Sequence, residues 1–451
     1  MDLAKKQVLV FGTGLSGIGA AKLLESVQAD PILYDSNSDR KEEDVRKKLE
    51  PGSRARIMTG KLPDSLADSL DLVVLSPGVP TDLPLVEKLR EKNIPIWGEV
   101  ELAYANGKGD VLAITGTNGK TTTTSLLGAI MKHFRDSSYV VGNIGKPYTE
   151  AVMNMTQDTV TVAEVSSFQL ETIVNFHPKV SAILNITPDH LNRHHTMEEY
   201  IRVKESITKN QTGSDTCVLN YEDEILREFG KTLTCQVLFF SSLRTLDKGI
   251  YLDGNLITYS DGTKKTVICS TEELKLPGRH NHENVMAAVA MALVYGVPLE
   301  EIRTVVCAFT AVEHRIEYVL EKNGVVYYND SKGTNPDAAI KGIQAMDRPT
   351  LLIGGGYDKD SSYEEWIRAF DGKVRHLVLL GATREKIAET AKSCGFHNII
   401  FAETLEEAVQ ICAEKAVSGD AVLLSPACAS WDMFPSYEVR GELFKEYVRN
   451  L

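Results

Sequence analysis

Seven cysteines occur in 451 residues, and no two of them stand in a C-x-x-C spacing. The set is odd and scattered: Cys217, Cys235, Cys269, Cys307, Cys394, Cys412 and Cys428. Such a pattern argues against a disulfide frame or a cysteine zinc cluster and points to free thiols in a reducing compartment. No apolar run reaches the ~18 residues that a membrane helix needs, and no signal core of about 7–15 apolar residues precedes the first strand-like stretch, Val8 to Phe11. The expected location is therefore the cytoplasm, with no membrane insertion. Positive charge is also short. Forty-nine Lys and Arg against 62 Asp and Glu give a formal charge of −13. An acidic surface of this kind repels nucleic acid and anionic lipid, while local basic sites can still take small anions. Low-complexity tracts, short repeats and proline- or serine-rich linkers are missing too.

What is present is ordinary globular composition, 43% hydrophobic and 25% charged, in a chain long enough for about three domains of roughly 150 residues each. Short apolar runs ending in glycine-rich or polar turns alternate with amphipathic stretches of helical period. The runs include Gln7–Gly12, Leu72–Ser76, Val111–Thr115, Val160–Val165, Val180–Asn185, Leu351–Gly354 and Ala421–Ser425. Continuous rather than alternating apolar runs suit strands covered on both faces, so the spacing predicts doubly wound α/β domains with parallel sheets. Three groups of such units are expected, over residues 1–98, 99–311 and 312–451. Residues 235–275 differ: short alternating segments with turns at Asp253-Gly254 and Asp261-Gly262 predict a small antiparallel β insertion.

Gly12-Thr-Gly14-Leu-Ser-Gly17 follows a strand and opens a helix, and Asp35 ends the next strand. Together they resemble a dinucleotide site, yet converging N–H donors at a helix start bind any diphosphate. A nucleotide-like ligand, nicotinamide in particular, and a merely structural tight turn all stay open at this point.

Gly116-Thr117-Asn118-Gly119-Lys120-Thr121-Thr122 sits between an apolar strand and a helix, which is where a phosphate loop belongs. Its amides would wrap the β-phosphate of ATP, Lys120 would neutralise β- and γ-phosphate charge, and Thr121 could bind Mg²⁺. Glu164 and Asp189-His190 follow the next buried strands, at the edge where open α/β sheets bind ligands. Glu164 reads as a metal ligand or as a helix-capping acid. His190 is evenly balanced, since Mg²⁺ prefers oxygen; zinc held by His190 and His194 is disfavoured. Thr196-Met-Glu-Glu199 predicts a helix starting at Met197, on which Lys204 lies within an apolar stripe of Met197, Tyr200, Ile201, Ile207 and Thr208. A lysine there either snorkels to water or is a buried, chemically modified amine.

In this order, the segments Gly116–Thr122, Gly142-Asn143-Ile144-Gly145, Ala163–Glu171, Asn185–His190, Tyr200–Lys204, Gly278–Asn284, His314-Arg315, Asn329–Pro336 and Ser425–Ser430 resemble the Mur ligases. These are the ATP-dependent amino-acid-adding enzymes of peptidoglycan precursor synthesis, and the match is to their D-glutamate-adding branch. The resemblance implies a Rossmann-like N-terminal domain, a central P-loop ATPase domain and a Rossmann-like C-terminal domain. It also implies UDP-N-acetylmuramoyl-L-alanine and D-glutamate as substrates, two Mg²⁺ ions and a monomer. Leu15, Ser16, Asp35, Ser36 and Ser76 would line the UDP site, and Asn143 would touch that substrate near the second metal. Thr121 and Glu164 would serve one Mg²⁺ and His190 the other, with Lys204 carbamoylated by CO₂. Asn281 and Asn284 would face adenine, Asp330 and Lys332 ribose and phosphate, and Arg315 the phosphates. Thr334, Lys359, Ser430 and Tyr437 would hold D-glutamate; Tyr437 departs from the phenylalanine usual there, and its hydroxyl has no assigned role. No Asp-Asn-Pro-Arg signature of the diaminopimelate-adding relatives is found.

The implied chemistry is attack of a carboxylate on the γ-phosphate, then of the D-glutamate amine on the acyl phosphate, after closure of the third domain. A folylpolyglutamate synthetase would lack the Gly12–Gly17 domain. An NAD-dependent dehydrogenase leaves Gly116–Thr122 unexplained, and a non-catalytic P-loop regulator leaves Glu164, His190 and Lys204 unexplained.

Overall fold

A computed structural model of the chain describes residues 2–144, 146–276, 278–310, 313–358 and 361–451, with Asn192 and Asp337 described by their backbone alone. The expected boundary at 311/312 and the candidate Lys359 lie outside the described residues. Contacts divide the chain into two units, residues 1–271 with 283–307, and residues 272–282 with 308–451.

In the first unit β1 (Gln7–Phe11), β2 (Asp30–Asp35), β3 (Arg56–Thr59), β4 (Leu72–Leu75) and β5 (Ile96–Gly98) form a parallel sheet ordered β3-β2-β1-β4-β5. Val8, Leu9 and Val10 of β1 and Leu72 to Leu75 of β4 are buried, which explains their unbroken apolar runs. The connections run outward from β1 on one side and from β4 on the other. A crevice opens where the winding reverses, past the ends of those two strands.

A second sheet in the same unit has nine strands: β6 (Asp110–Thr115), β7 (Ser138–Gly142), β8 (Val160–Glu164), β9 (Val180–Ile183), β10 (Thr216–Asn220), β11 (Gln236–Ser241), β12 (Lys248–Asp253), β13 (Leu256–Asp261) and β14 (Lys265–Ser270). Its order is β14-β13-β12-β11-β10-β9-β6-β8-β7. β6 sits between β9 and β8, all parallel, so the segments leaving those three strands share one sheet edge. The expected antiparallel insertion is present as β12, β13 and β14, and it prolongs this sheet through the parallel β11–β12 pair.

The second unit carries β15 (Glu317–Lys322), β16 (Val325–Asn329), β17 (Thr350–Gly354), β18 (Val374–Leu379), β19 (Ile399–Phe401) and β20 (Ala421–Leu424), ordered β15-β16-β20-β17-β18-β19. Only β15 pairs antiparallel with its neighbour. Residues 272–282 pack with this unit. Gly278 there has φ +90°, and its Cα hydrogen side lies against Ala345, where a Cβ would come within 3.2 Å. Among the described residues no helix is long and apolar enough to cross a membrane.

Candidate active site

The phosphate loop leaves β6 with Gly116 at φ +149° and Gly119 at φ +86°, conformations that glycine adopts at little cost. Asn185, past the end of β9, zips it in place: its side chain accepts from Asn118 N–H at 2.8 Å and donates to Asn118 O at 3.1 Å. Lys120 opens the helix Lys120–Phe134, followed by Thr121 and Thr122, and donates to Gly116 O and Thr117 O, both at 2.9 Å. Thr117 Oγ lies 3.1 Å from the Tyr200 hydroxyl.

Lys204, 1% exposed, donates from Nζ to the same Gly116 carbonyl at 2.8 Å. Two lysine Nζ atoms thus converge on one oxygen. Burial, and then the charge of Lys120, hold the Lys204 amine well below the usual lysine range. The snorkelling alternative fails here, because the side chain runs inward under the loop. Asn284 stands against the loop as well, its Oδ1 3.4 Å from Thr123 Oγ and within 2.2 Å of where a Cβ on Gly119 would be. Asn284, expected to face adenine, thus packs against the loop at Gly119.

Glu164 ends β8 as a buried carboxylate. Asn143 Nδ2 donates to its Oε1 at 2.8 Å, while its Oε2 is buried without a hydrogen-bond partner. It is not a capping acid, since the following helix Ser167–Leu170 is capped by Ser166. His190 has a left-handed backbone, φ +52°, and leads the short helix Leu191–His194, which His195 closes at φ +65°. Residues not expected from sequence hold this strap. Glu171 accepts from Arg193 at 2.6 and 3.2 Å and lies 3.4 Å from His194 Nδ1, whose Nε2 is 3.0 Å from Ser167 Oγ. Arg193 also donates to Val79 O at 3.0 Å, in the segment that follows Ser76.

At the crevice of the first sheet, Gly12 has φ +114° and Ser76 Oγ is buried without a partner. Leu15 is 79% exposed, with Ser16 beside it on the helix Leu15–Ser26. Asp35 accepts from Thr13 Oγ at 2.9 Å and Asn37 N–H at 3.0 Å. Burial opposes its charge, but these bonds and Arg40 outweigh it and hold the carboxyl below the usual range. Ser36, next to it, is exposed. A Cβ on Gly17 would lie 1.9 Å from Gly12 O. Gly17→Ala is accordingly expected to lower stability by about 1–3 kcal/mol and to raise the KM of the UDP-linked substrate. Urea unfolding and steady-state kinetics check this; an unchanged KM would show that the turn does not bind that substrate.

In the second unit Asp330 is fully buried at the end of β16. Ser425 Oγ donates to its Oδ2 at 2.7 Å, its Oδ1 has no hydrogen-bond partner, and Arg315 Nη1 lies 4.0 Å away. Arg315 sits between His314 at φ +64° and Ile316 at φ +47°; a β-branched residue rarely adopts such a backbone. Lys332 N–H donates to His314 O at 3.0 Å, joining the two loops. Lys332 Nζ is 5.9 Å from the ring of Tyr437. Burial and Glu438 push the Tyr437 hydroxyl up to about 12, so the hydroxyl is a partner of Glu438. Ser430 Oγ is buried without a hydrogen-bond partner, Asn281 is buried on the helix Arg279–Tyr295, and Thr334 is half-buried.

Burial raises Asp330 to about 6 against the pull of Arg315. Between the ordinary carboxylate value and about 6 the folded chain therefore binds the extra proton, and this group removes stability as pH rises through that window. With the ionised carboxylate as the nucleotide acceptor, kcat/KM for ATP should fall about tenfold from pH 7.5 to 5 with an inflection near 6. A flat profile over that range would exclude this role.

Four of the buried side-chain atoms without partners thus belong to Ser76, Glu164, Asp330 and Ser430, each at the carboxyl edge of a parallel sheet. In the first unit the phosphate loop, with Lys120 and Lys204 meeting at Gly116 O, marks a nucleotide-binding α/β domain. Family profiles for a Mur ligase MurD-like N-terminal domain, a Mur ligase middle domain and a Mur ligase glutamate ligase domain match residues 6–98, 114–292 and 314–428. The chain belongs to the Mur ligase family.

It is 58% identical to the UDP-N-acetylmuramoylalanine–D-glutamate ligase of Lachnoclostridium phytofermentans over 100% of this chain and 99% of that one. The proteins of that name from Lachnospira eligens and Clostridioides difficile are 55% and 47% identical, with both chains of each pair fully covered. In fold the chain is similar to the UDP-N-acetylmuramate-alanine ligase of Thermotoga maritima (TM-score 0.60, 21% identity, 99% of each chain). It is also similar to the MurF ligase of Thermotoga maritima in complex with ADP (TM-score 0.59, 16% identity, 100% of this chain and 99% of that one).

Proposed function

We propose that the chain is an ATP-dependent ligase that joins D-glutamate to UDP-N-acetylmuramoyl-L-alanine through an acyl phosphate, releasing ADP and phosphate in peptidoglycan precursor synthesis. The observation that carries the ATP half is the convergence of Lys120 and Lys204 on Gly116 O beneath the phosphate loop. Full-length relatives of that name support the choice of amino acid.

The substrate carboxylate must approach a γ-phosphate of like charge. Lys120, at the loop, and Arg315 would offset that repulsion, and the loop amides would hold the phosphates in line. Glu164 offers its unpartnered Oε2 and Thr121 its hydroxyl as oxygen donors for one Mg²⁺, and His190 a nitrogen for a second. Bound there, the two ions would supply further positive charge at the transferring phosphoryl group.

Lys204 fits carbamoylation because burial and the charge of Lys120 disfavour the protonated form of its amine, the form that has no lone pair to attack with. The nitrogen lone pair adds to CO₂, one C=O pair moves to oxygen, and a proton leaves. The amine beside Lys120 becomes an anionic carbamate suited to a metal site. The boundaries at 98/99 and 311/312, the D-glutamate contacts of Thr334, Lys359, Ser430 and Tyr437, a monomeric state and a cytoplasmic location belong to the same proposal. The deciding experiment is phosphate release with UDP-N-acetylmuramoyl-L-alanine and a panel of D-glutamate, L-glutamate, L-lysine and diaminopimelate. Release with D-glutamate alone is expected; equal release with L-lysine would overturn the reading.

A further inference from the structure

Arg440 has no part in the chemistry set out above, yet it is 3% exposed and occupies the inner face of the helix Tyr437–Asn450. Its Nε donates to Ser331 Oγ at 3.0 Å and its Nη2 to Ser331 O at 2.9 Å. Nη1 and Nη2 both reach Cys428 O at 3.2 Å, and Nη1 reaches Ala429 O at 3.4 Å. One planar fork thus spans two loops that meet nowhere near each other in sequence. Ser331 stands between Asp330 and Lys332, the nucleotide residues. Cys428 and Ala429 lead directly into Ser430, the amino-acid residue.

The oxygens that accept from this guanidinium are all neutral, so its hydrogen bonds do not serve to complete an ion pair. They satisfy three main-chain carbonyls and a hydroxyl at once, a geometry that the rigid guanidinium matches and a lysine ammonium does not. The loop it grips is held away from ordinary backbone, since Ala427 sits at φ +58°. Ser331 Oγ donates in turn to Tyr437 O at 2.8 Å, so the helix start is tied to the same point.

We propose that Arg440 is a positioning residue that couples the nucleotide and D-glutamate subsites, fixing the spacing of Asp330 and Lys332 against Ser430. This rests on the ligase reading. With the fork in place, ordering of the nucleotide loop by ATP also orders the carbonyls that precede Ser430. Without it, each loop settles alone.

The test is Arg440→Lys in the full chain, with phosphate release followed at several ATP concentrations. In the wild-type protein the KM for D-glutamate is expected to fall as ATP rises through its own KM. In the variant that KM should be at least about tenfold higher and independent of ATP, while the KM of the UDP-linked substrate stays within about twofold. Ser331→Ala, which removes the Nε acceptor and the hydroxyl's bond to Tyr437 O but keeps the three carbonyl contacts, should raise the D-glutamate KM by a smaller factor and supplies the answer if the lysine variant does not fold. A D-glutamate KM within twofold of wild type in the variants overturns the coupling, as does a parallel rise of all three KM values with a lowered melting temperature, the mark of a purely structural arginine. A wild-type chain that releases no phosphate with D-glutamate overturns the ligase reading and this proposal together, whereas normal wild-type turnover with an unchanged variant overturns only this one.

Discussion

Lys204→Ala should lose phosphate release by about 10³-fold or more, the scale on which a preorganised charge at a transferring group acts. The expectation follows from the place of the amine. It is buried, it shares the Gly116 carbonyl with Lys120, and Tyr200 covers it at 4.8 Å from Nζ to the ring centre. An unmodified ammonium there would add a second cation where Lys120 already neutralises phosphate. A carbamate would instead bring the anionic oxygens that hold Mg²⁺. The alanine variant loses both possibilities and leaves space beneath the loop. A small carboxylic acid such as formate or acetate can enter that space, so part of the activity should return in a concentration-dependent way. The variant should still fold, because the buried amine makes a single hydrogen bond worth about 1 kcal/mol net. Full activity without added acid would sink the carbamate. Rescue by chloride as well as by acetate would show that any anion suffices.

Glu164→Gln should be nearly as damaging, again by about 10³-fold in kcat, with little effect on melting temperature. The amide keeps an oxygen for Asn143 Nδ2, whose bond to Oε1 is 2.8 Å, and keeps the side-chain volume. What it loses is charge at an oxygen that is buried and unpaired in this structure. Half-maximal activity should consequently need at least about tenfold more Mg²⁺ than in the wild-type protein. If the Mg²⁺ dependence is unchanged while turnover falls, Glu164 acts by positioning Asn143 and not by holding a cation.

Strands covered on both faces could be read from the sequence because burial leaves no polar alternation. Val8–Phe11, Leu72–Leu75, Val160–Glu164 and Ala421–Leu424 are all of this kind. Edge strands escaped. Arg56–Thr59, Ser138–Gly142 and Ile399–Phe401 are only partly buried, and their apolar stretches of two or three residues are too short for a period to pick out. The phosphate loop was legible since its chemistry lies within seven consecutive residues. Arg193, His194 and Glu171 were not, because their meaning depends on a short helix between two left-handed residues.

Arg440 escaped for a different reason, as its partners lie up to 109 positions away and are mostly main-chain oxygens. A signal did exist. Arg440, Phe444 and Val448 recur every fourth residue on one buried face, the same charged-residue-in-a-stripe pattern that singled out Lys204. Applied evenly along the chain, that rule would have found both. Asn284 shows the limit in the other direction. Its identity was legible, but its packing against Gly119 was not.

The placement of β20 has a consequence for biogenesis. This strand pairs with β16 on one side and β17 on the other, although nearly a hundred residues separate it from the first. During synthesis β16 to β19 therefore leave the ribosome before the strand that joins them, and two half-sheets with open edges must wait for it. Such a delay exposes unpaired strand edges to aggregation and favours slow, chaperone-assisted maturation. Truncations that remove the last thirty or so residues should leave this domain without a middle, and synonymous codon changes that speed the ribosome through residues 330–420 should alter soluble yield more than any surface substitution.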